Sequence, residues 1–300
     1  MKTEKNILIA FLLNMFFSIF ELLGGIYTNS VDIKSDAIHD FGDAISIGVS
    51  YGLEKKSKKK PDEKYTYGYS RYSVLGATIT NTILIVGSIL VIFNAIKKII
   101  NPVEINYDGK IIFAIVGVIV NFFAAYVTRH GDSLNQKAVN LHMLEDVLGW
   151  VVVLIGAVII KFTNITVIDP IMSIGVALFI LNHAINGFKE IIDIFLEKTP
   201  EDIKIDELKE HLLNINGVKD IHHIHIWSID GHNNFATMHV VTELDDTKIL
   251  KHEIKEELKE HGISHITIEI EESGEECEEI ECVINNESEH KHHHHHHHHH

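Results

Sequence analysis

The sequence predicts a membrane α-helical protein with six transmembrane helices, followed by a cytoplasmic α+β domain of order αββαβ. Three observations predict it. Long apolar runs fill the first two thirds of the 300 residues and stop near Pro200. Charge divides at the same place: residues 1–199 hold 18 Lys+Arg against 18 Asp+Glu. The other 8 and 24 lie in 200–300, which carries the whole formal −16. Past Pro200 the hydrophobic period shortens and alternates as strands do. So uneven a chain is not one globular unit. Its negative balance argues against nucleic acid as a partner, and two cysteines, Cys277 and Cys282, make no disulfide framework.

Each span needs about 20 mostly apolar residues. The first covers 7–27, interrupted only by Asn14 and Glu21; it lacks a small-residue cleavage site and exceeds a signal peptide's apolar core. The second, 30–53, is polar in its first half. Residues 71–100, 111–128 and 138–162 make the third to fifth. The sixth, 165–196, is long enough to tilt and run on into water. Asp169, just before Pro170, is expected to cap it. Basic residues set the orientation. Lys55, Lys56, Lys58, Lys59 and Lys60 lie between spans two and three, Lys2 and Lys5 before span one, and Arg129 and Lys137 beside the loop joining spans four and five. The opposite loops hold only Lys110 as a cation. Both termini are therefore expected in the cytoplasm. Lys-, Ile- and Asn-rich usage points to a prokaryote, and so to the plasma membrane.

Beyond Pro200, residues 206–215 read as a short amphipathic helix. Residues 220–229 and 234–243 read as strands joined by Asp230-Gly231-His232-Asn233. A charged helix over 246–262 ends at a glycine, and 264–271 forms a third strand. This order suggests a small sheet with helices on one face. The expected domains are 1–199, transmembrane; 200–272, cytoplasmic; and 273–300, an acidic disordered tail. The nine closing histidines read as an expression tag.

Ionisable residues inside the bilayer point to the chemistry. The second span holds Asp36, His39, Asp40 and Asp43; the fifth holds His142, Glu145 and Asp146. Each such charge costs roughly 2.5–3.5 kcal/mol on insertion scales, so this concentration needs compensation. His39 and Asp43 stand at i and i+4, as do His142 and Asp146, and such residues share a helix face. Two such faces can close an N₂O₂ shell around one divalent ion, which suits tetrahedral zinc and admits cadmium or cobalt. A single His-x-x-x-Asp reads more simply as a hydrogen-bonded pair or a wet helix face; two copies in separate spans favour metal. Asp40 is turned about 100° from His39, which makes it a weaker candidate ligand for the same ion. Glu21 and Asp36 could serve a proton path, pair with Lys34 or stabilise helix packing. Asn14, Asn81 and Asn121 read as interhelical hydrogen-bonding residues.

In this order the residues resemble the cation diffusion facilitators, and within them the zinc-type branch with His-x-x-x-Asp in both metal-binding spans. The likeness runs through Phe20-Glu21 with Gly24-Gly25, then Ser35-Asp36-Ala37-Ile38-His39-Asp40-Phe41-Gly42-Asp43. Tyr67-Gly68-Tyr69-Ser70-Arg71, Asn101-Pro102-Val103, Leu134-Asn135, Leu141-His142 through Asp146, and Asp169-Pro170 continue it. His222-His223-Ile224-His225-Ile226-Trp227 and His265 through Glu271 complete it. The resemblance implies a homodimer of six-span subunits that exports zinc from the cytoplasm in exchange for protons. It also implies a metallochaperone-like cytoplasmic domain that dimerises and binds regulatory zinc. The implied transport site is His39, Asp43, His142 and Asp146, the four residues that spacing selects. His39 favours zinc and cadmium, since relatives with Asp there tend to handle iron or manganese. The implied cytoplasmic ligands are His222 and His239, with Glu269 or Glu271. Zinc is thus cargo and possible regulator, and no other cofactor is expected. The chain departs from the pattern at Asp32, Lys34, Ser73 and Trp150, and its loop 54–64 has no histidine.

Strand alternation places His223 and His225 on one side and His222 on the other. Trp227 reads as packing. Cys277 and Cys282 could hold a soft metal, but read more simply as part of a solvated tail. A membrane enzyme is the weaker class: no His-Glu-x-x-His is present, and four protein ligands leave no open position for a water nucleophile. A passive metal channel would need several weak sites in file. A membrane-anchored metal sensor explains the cytoplasmic histidines but not the intramembrane ones.

Overall fold

The computed structural model describes residues 2–27, 31–101, 111–163 and 167–274. The described chain divides into two compact units, one of residues up to 198 together with 228–233, the other of residues 199–227 and from 234 onward. In the first, α1 (Lys2–Tyr27), α2 (Val31–Ser57), α3 (Arg71–Ile100), α4 (Ile111–Thr128), α5 (Leu134–Thr163) and α6 (Ile168–Phe195) follow one another. α3 and α4 coincide with the predicted spans. α1, α2 and α5 run beyond them into residues such as Glu4, Lys55 and Gln136, good helix formers that give no apolar signal.

Five of the six are long and apolar enough to cross a membrane. α2, at 27 residues, is long enough but carries too many charges, Asp36, Asp40, Asp43 and Glu54 among them. Polarity is distributed inside out. Leu12, Phe16, Leu23, Phe93, Ile119 and Phe122 face outward, while Asn14, Ser18, Asp43, Ser50, Asn121 and His142 are buried. Lipid outside and polar contacts within account for that inversion. α1 packs chiefly on α2, α3 on α6 and α4 on α5; contacts of α2 with α3, α1 with α4 and α5 with α6 close the ring.

Trp150 fits because a glycine faces it. Its ring meets Phe17 edge-on, centroids 5.5 Å apart, and a Cβ built on Gly117 of α4 would stand 2.7 Å from the indole and 2.9 Å from Phe17. Gly117→Val is expected to destabilise the bundle by about 1–3 kcal/mol through overpacking. An unaltered thermal midpoint in detergent would show that the indole moves aside freely.

At the lysine-rich end of the bundle, Glu54 is buried. Its Oε2 accepts from Ser73 Oγ at 2.7 Å, Ser133 Oγ at 3.3 Å and Asn135 Nδ2 at 3.3 Å, and Asn135 Nδ2 also donates to the Ser50 carbonyl at 2.9 Å. These bonds tie α2 to α3 and to the start of α5. They also explain Ser73, because an acid there would set two carboxylates against each other. Ser73→Asp is expected to cost at least about 2 kcal/mol, since it removes a donor from a buried charge and adds a like one. Denaturation in detergent checks this, and Ser73→Ala gives the share due to the lost donor. Asp169 is not the cap of α6. The helix begins at Ile168, so Asp169 lies inside the first turn, where its buried carboxylate stands 4.0 Å from Lys98 Nζ of α3.

The second unit comprises α7 (Ile205–Leu213), β1 (Val218–Ser228), β2 (Asn234–Thr242), α8 (Lys248–Glu260) and β3 (Ile263–Glu272), in the order αββαβ. The sheet order is β1-β2-β3. The β1–β2 connection is too short for anything but a hairpin. Through α8, β2 pairs with β3 in parallel, with His239 opposite Glu269 and Val241 opposite Glu271. Burial alternates along β2, so Ala236, Met238 and Val240 join Leu208 and Leu212 of α7 and Leu250, Ile254 and Leu258 of α8 in one core. Ile266, Ile268 and Ile270 of β3 pack on it. Both helices therefore cover one face of the sheet, and His239, Glu269 and Glu271 emerge on the other. Gly262, with φ of 77°, turns the chain from α8 into β3, where a side chain would be strained.

Candidate metal centre

Inside the bundle, α2 and α5 bring their polar faces together. Donor atoms of Asp43, His142 and Asp146 all lie within 4.8 Å of one another. His142 Nε2 is 3.7 Å from Asp43 Oδ1. Asp43 and His142 are buried, and among the described residues neither ring nitrogen of His142 has a hydrogen-bond partner. A buried imidazole is rarely left so. Two carboxylates converging on an uncommitted imidazole form a site of net negative charge that a divalent cation neutralises.

His39 is placed differently. Its Nε2 lies 3.5 Å from Asp43 Oδ2, one turn away on α2, but its side chain is 76 % exposed and stands outside the three-residue group. The structure thus brings three of the four expected residues together and leaves His39 touching one of them. Two neighbours were not expected there. Asn14 of α1 donates from Nδ2 to Asp146 Oδ2 at 3.2 Å, orienting that carboxylate as outer-shell groups orient metal ligands. Glu145 places Oε2 3.9 Å from His142 Nδ1; the i, i+3 spacing of the two was visible in the sequence. Asp40 shares a side-chain hydrogen bond with Glu21 and lies close enough to Asp43 and Asp146 to add its charge to the cluster's edge, although it is outside the three-residue group. Asn14 is thus an interhelical hydrogen-bonding residue, whereas Asn81 donates to the Ala77 carbonyl of its own helix at 3.1 Å.

The cytoplasmic unit holds a second group on the open sheet face: His222, His239 and Glu271. Glu271, buried, approaches His239 Nδ1 at 2.5 Å with one oxygen and His222 Nε2 at 3.1 Å with the other. His239 Nε2 also lies 3.3 Å from Glu269 Oε2, and His222 Nδ1 3.4 Å from Asp220 Oδ2. The expected alternation fails here. His223 has a left-handed φ of 50°, which shifts the side-chain phase, so that Ile221 and Ile226, an odd number of residues apart, are both buried. His222 and His223 then both face His239, with ring centroids at 5.4 and 4.7 Å. His225 does share the side of His223, at 6.2 Å. Trp227 stacks on Phe235 as packing, centroids 6.0 Å apart. Cys277, Cys282 and the histidine tail lie outside the described residues.

Apolar helices enclosing a cluster of metal-ligating side chains, followed by a small α+β domain with a second such cluster, define a metal-ion transporter of the membrane. Comparison with known proteins narrows this. Residues 7–196 match the cation efflux transmembrane domain, and residues 200–273 the cytoplasmic domain of cation efflux proteins. A cadmium, cobalt and zinc/H(+)-K(+) antiporter of Bacillus subtilis is 33 % identical over 276 residues, covering 89 % of this chain and 89 % of its own. Zinc transporter ZitB of Yersinia pestis is 33 % identical over 288 residues, covering 94 % and 91 %. Metal cation efflux system protein CzcD of Cupriavidus metallidurans is 30 % identical over 273 residues, covering 89 % and 86 %. The chain belongs to the cation diffusion facilitators, in their zinc-type branch. That is a family of transporters, not of enzymes.

Proposed function

We propose that this protein exports divalent cations, zinc foremost with cadmium and cobalt, from the cytoplasm in exchange for protons. The observation that carries the reading is the group formed by buried Asp43 and His142 with half-buried Asp146 between α2 and α5. The names of its relatives, which include zinc transporters and an antiporter of cadmium, cobalt and zinc, support the same cargo. His39 completes an N₂O₂ shell by turning inward from its exposed position as the metal arrives.

Imidazole and carboxylate bind either a metal or a proton, so the two compete for one site. Open to a near-neutral cytoplasm, the site holds zinc on neutral histidine and ionised aspartate. Open to a more acidic exterior, it takes up protons and releases the ion, because histidine changes charge in that range. Alternating access between the two sides turns this competition into exchange.

In this reading residues 1–199 carry transport and 200–272 serve dimerisation and regulation, with His222, His239 and Glu271 holding regulatory zinc. Two chains pair, as the match to a cation efflux cytoplasmic domain supports. The protein lies in the plasma membrane with both termini cytoplasmic, which the lysines of 55–60 favour. Zinc flux into proteoliposomes loaded with a zinc dye, with and without a pH gradient, is the test. Flux driven by the gradient is expected. Flux indifferent to it would mark a channel, and metal binding without flux a sensor.

A further inference from the structure

A third group of ligating side chains lies where α7 and α8 end, on the helical side of the cytoplasmic unit. His211 stands in the last turn of α7 and His261 directly follows α8. Glu257, one turn before His261, completes the group. Their donor atoms form a tight triangle: His211 Nδ1 to Glu257 Oε1 is 3.1 Å, His211 Nδ1 to His261 Nε2 is 3.0 Å, and His261 Nε2 to Glu257 Oε1 is 3.3 Å. Pairwise hydrogen bonds satisfy such a triangle poorly. If both nitrogens donate to the one oxygen, two N–H groups crowd together; if one nitrogen donates to the other, a lone pair faces the carboxylate.

A shared cation resolves the conflict. Zinc binds imidazole nitrogen at about 2.0–2.1 Å and carboxylate oxygen at about 2.0–2.2 Å, so three donors on a tetrahedral ion stand about 3.3–3.4 Å apart. The observed separations need only a few tenths of an ångström of adjustment. The setting favours a cation as well, because the carbonyl ends of two helices converge on it. The side chains are 53, 28 and 26 % exposed for His211, Glu257 and His261, so an ion reaches them from solution. Two imidazoles exclude magnesium and calcium as preferred occupants and select zinc, cobalt or cadmium. The fourth position is open to water. It is also open to Glu207, one turn before His211, which now pairs with Lys204 at 2.7 Å.

We propose that His211, Glu257 and His261 form a second divalent-cation site in the cytoplasmic domain, on the opposite side of the sheet from His222, His239 and Glu271. Its ligands come from two separate helices, so occupancy fastens α7 to α8. The proposal does not depend on the transport reading.

The experiment is zinc binding to the full chain in detergent against a chromophoric chelator. Wild type, His211→Ala, His261→Ala, Glu257→Gln, His222→Ala and the double variant His211→Ala/His261→Ala are compared. Each change in the triad is expected to remove the same single zinc per chain. The double variant should lose no more than either single, and His222→Ala should lose its zinc independently. The terminal histidines contribute equally throughout and cancel in the differences. Zinc should also raise the thermal midpoint less in the triad variants than in wild type. Wild-type stoichiometry in Glu257→Gln, which keeps the shape of the side chain and removes only its charge, overturns the proposal even if a histidine variant is misfolded. Loss in His211→Ala without loss in His261→Ala overturns it too.

Discussion

Asp146→Ala is expected to abolish zinc flux into proteoliposomes, a fall of at least about 100-fold, with the helical content of the protein unchanged. Disturbing a residue that merely orients a metal ligand typically costs 10–100-fold in affinity or activity. Removing a carboxylate whose oxygen lies within 4.8 Å of both Asp43 and His142 donors should cost more. The variant also leaves Asn14 Nδ2 without the acceptor it has at 3.2 Å, so lost flux alone has two readings. Asp146→Asn separates them. It keeps an oxygen for Asn14 and nearly the same volume, but gives up the charge that holds a cation and accepts a proton. Equal loss of flux in both variants assigns the defect to the charge. Full flux in Asp146→Asn would remove Asp146 from the ligand set, whatever the alanine variant does.

Much of this protein was legible along the chain, and the limits have physical causes. Apolar length marked α1 and α3 to α6. α2 was legible despite its acids because its second half, residues 44–53, stays apolar and its charged residues keep helical spacing. The juxtaposition of Asp43 with His142 followed from one rule applied twice, that residues at i and i+4 share a face. What the rule cannot supply is side-chain direction: His39 obeys the spacing yet points outward, because its exposed position on α2 leaves the imidazole free to turn. Asn14 donates to a partner on another helix, and no spacing within α1 encodes that. On the sheet, alternation misplaced His222 because a left-handed residue at His223 shifts the phase; histidine is enriched at positive φ, but such a backbone is still uncommon for any non-glycine residue, so the residue type alone does not mark the turn. The triangle of His211, Glu257 and His261 was hidden for a similar reason. His211 and Glu257 belong to different helices, and only the shared core beneath them, Leu208 and Leu212 against Ile254 and Leu258, sets them side by side.

His39→Asp is expected to lower the ratio of zinc to manganese transport by at least tenfold, which corresponds to about 1.4 kcal/mol between the two ions. An imidazole nitrogen is a borderline ligand that suits zinc, whereas a fourth-position carboxylate makes the shell all oxygen but for His142, and harder ions gain. The structure makes this a demanding test, because His39 reaches Asp43 at 3.5 Å while remaining 76 % exposed. If it joins the shell, it does so by turning inward with the metal, and the ratio must respond. Glu145 is the competitor for that position, with its carboxylate already 3.9 Å from His142 Nδ1. Should Glu145 be the fourth ligand, His39→Asp leaves the ratio where it was and Glu145→Gln lowers zinc flux instead. Measuring both ions with both variants therefore assigns the fourth ligand by which change the selectivity follows.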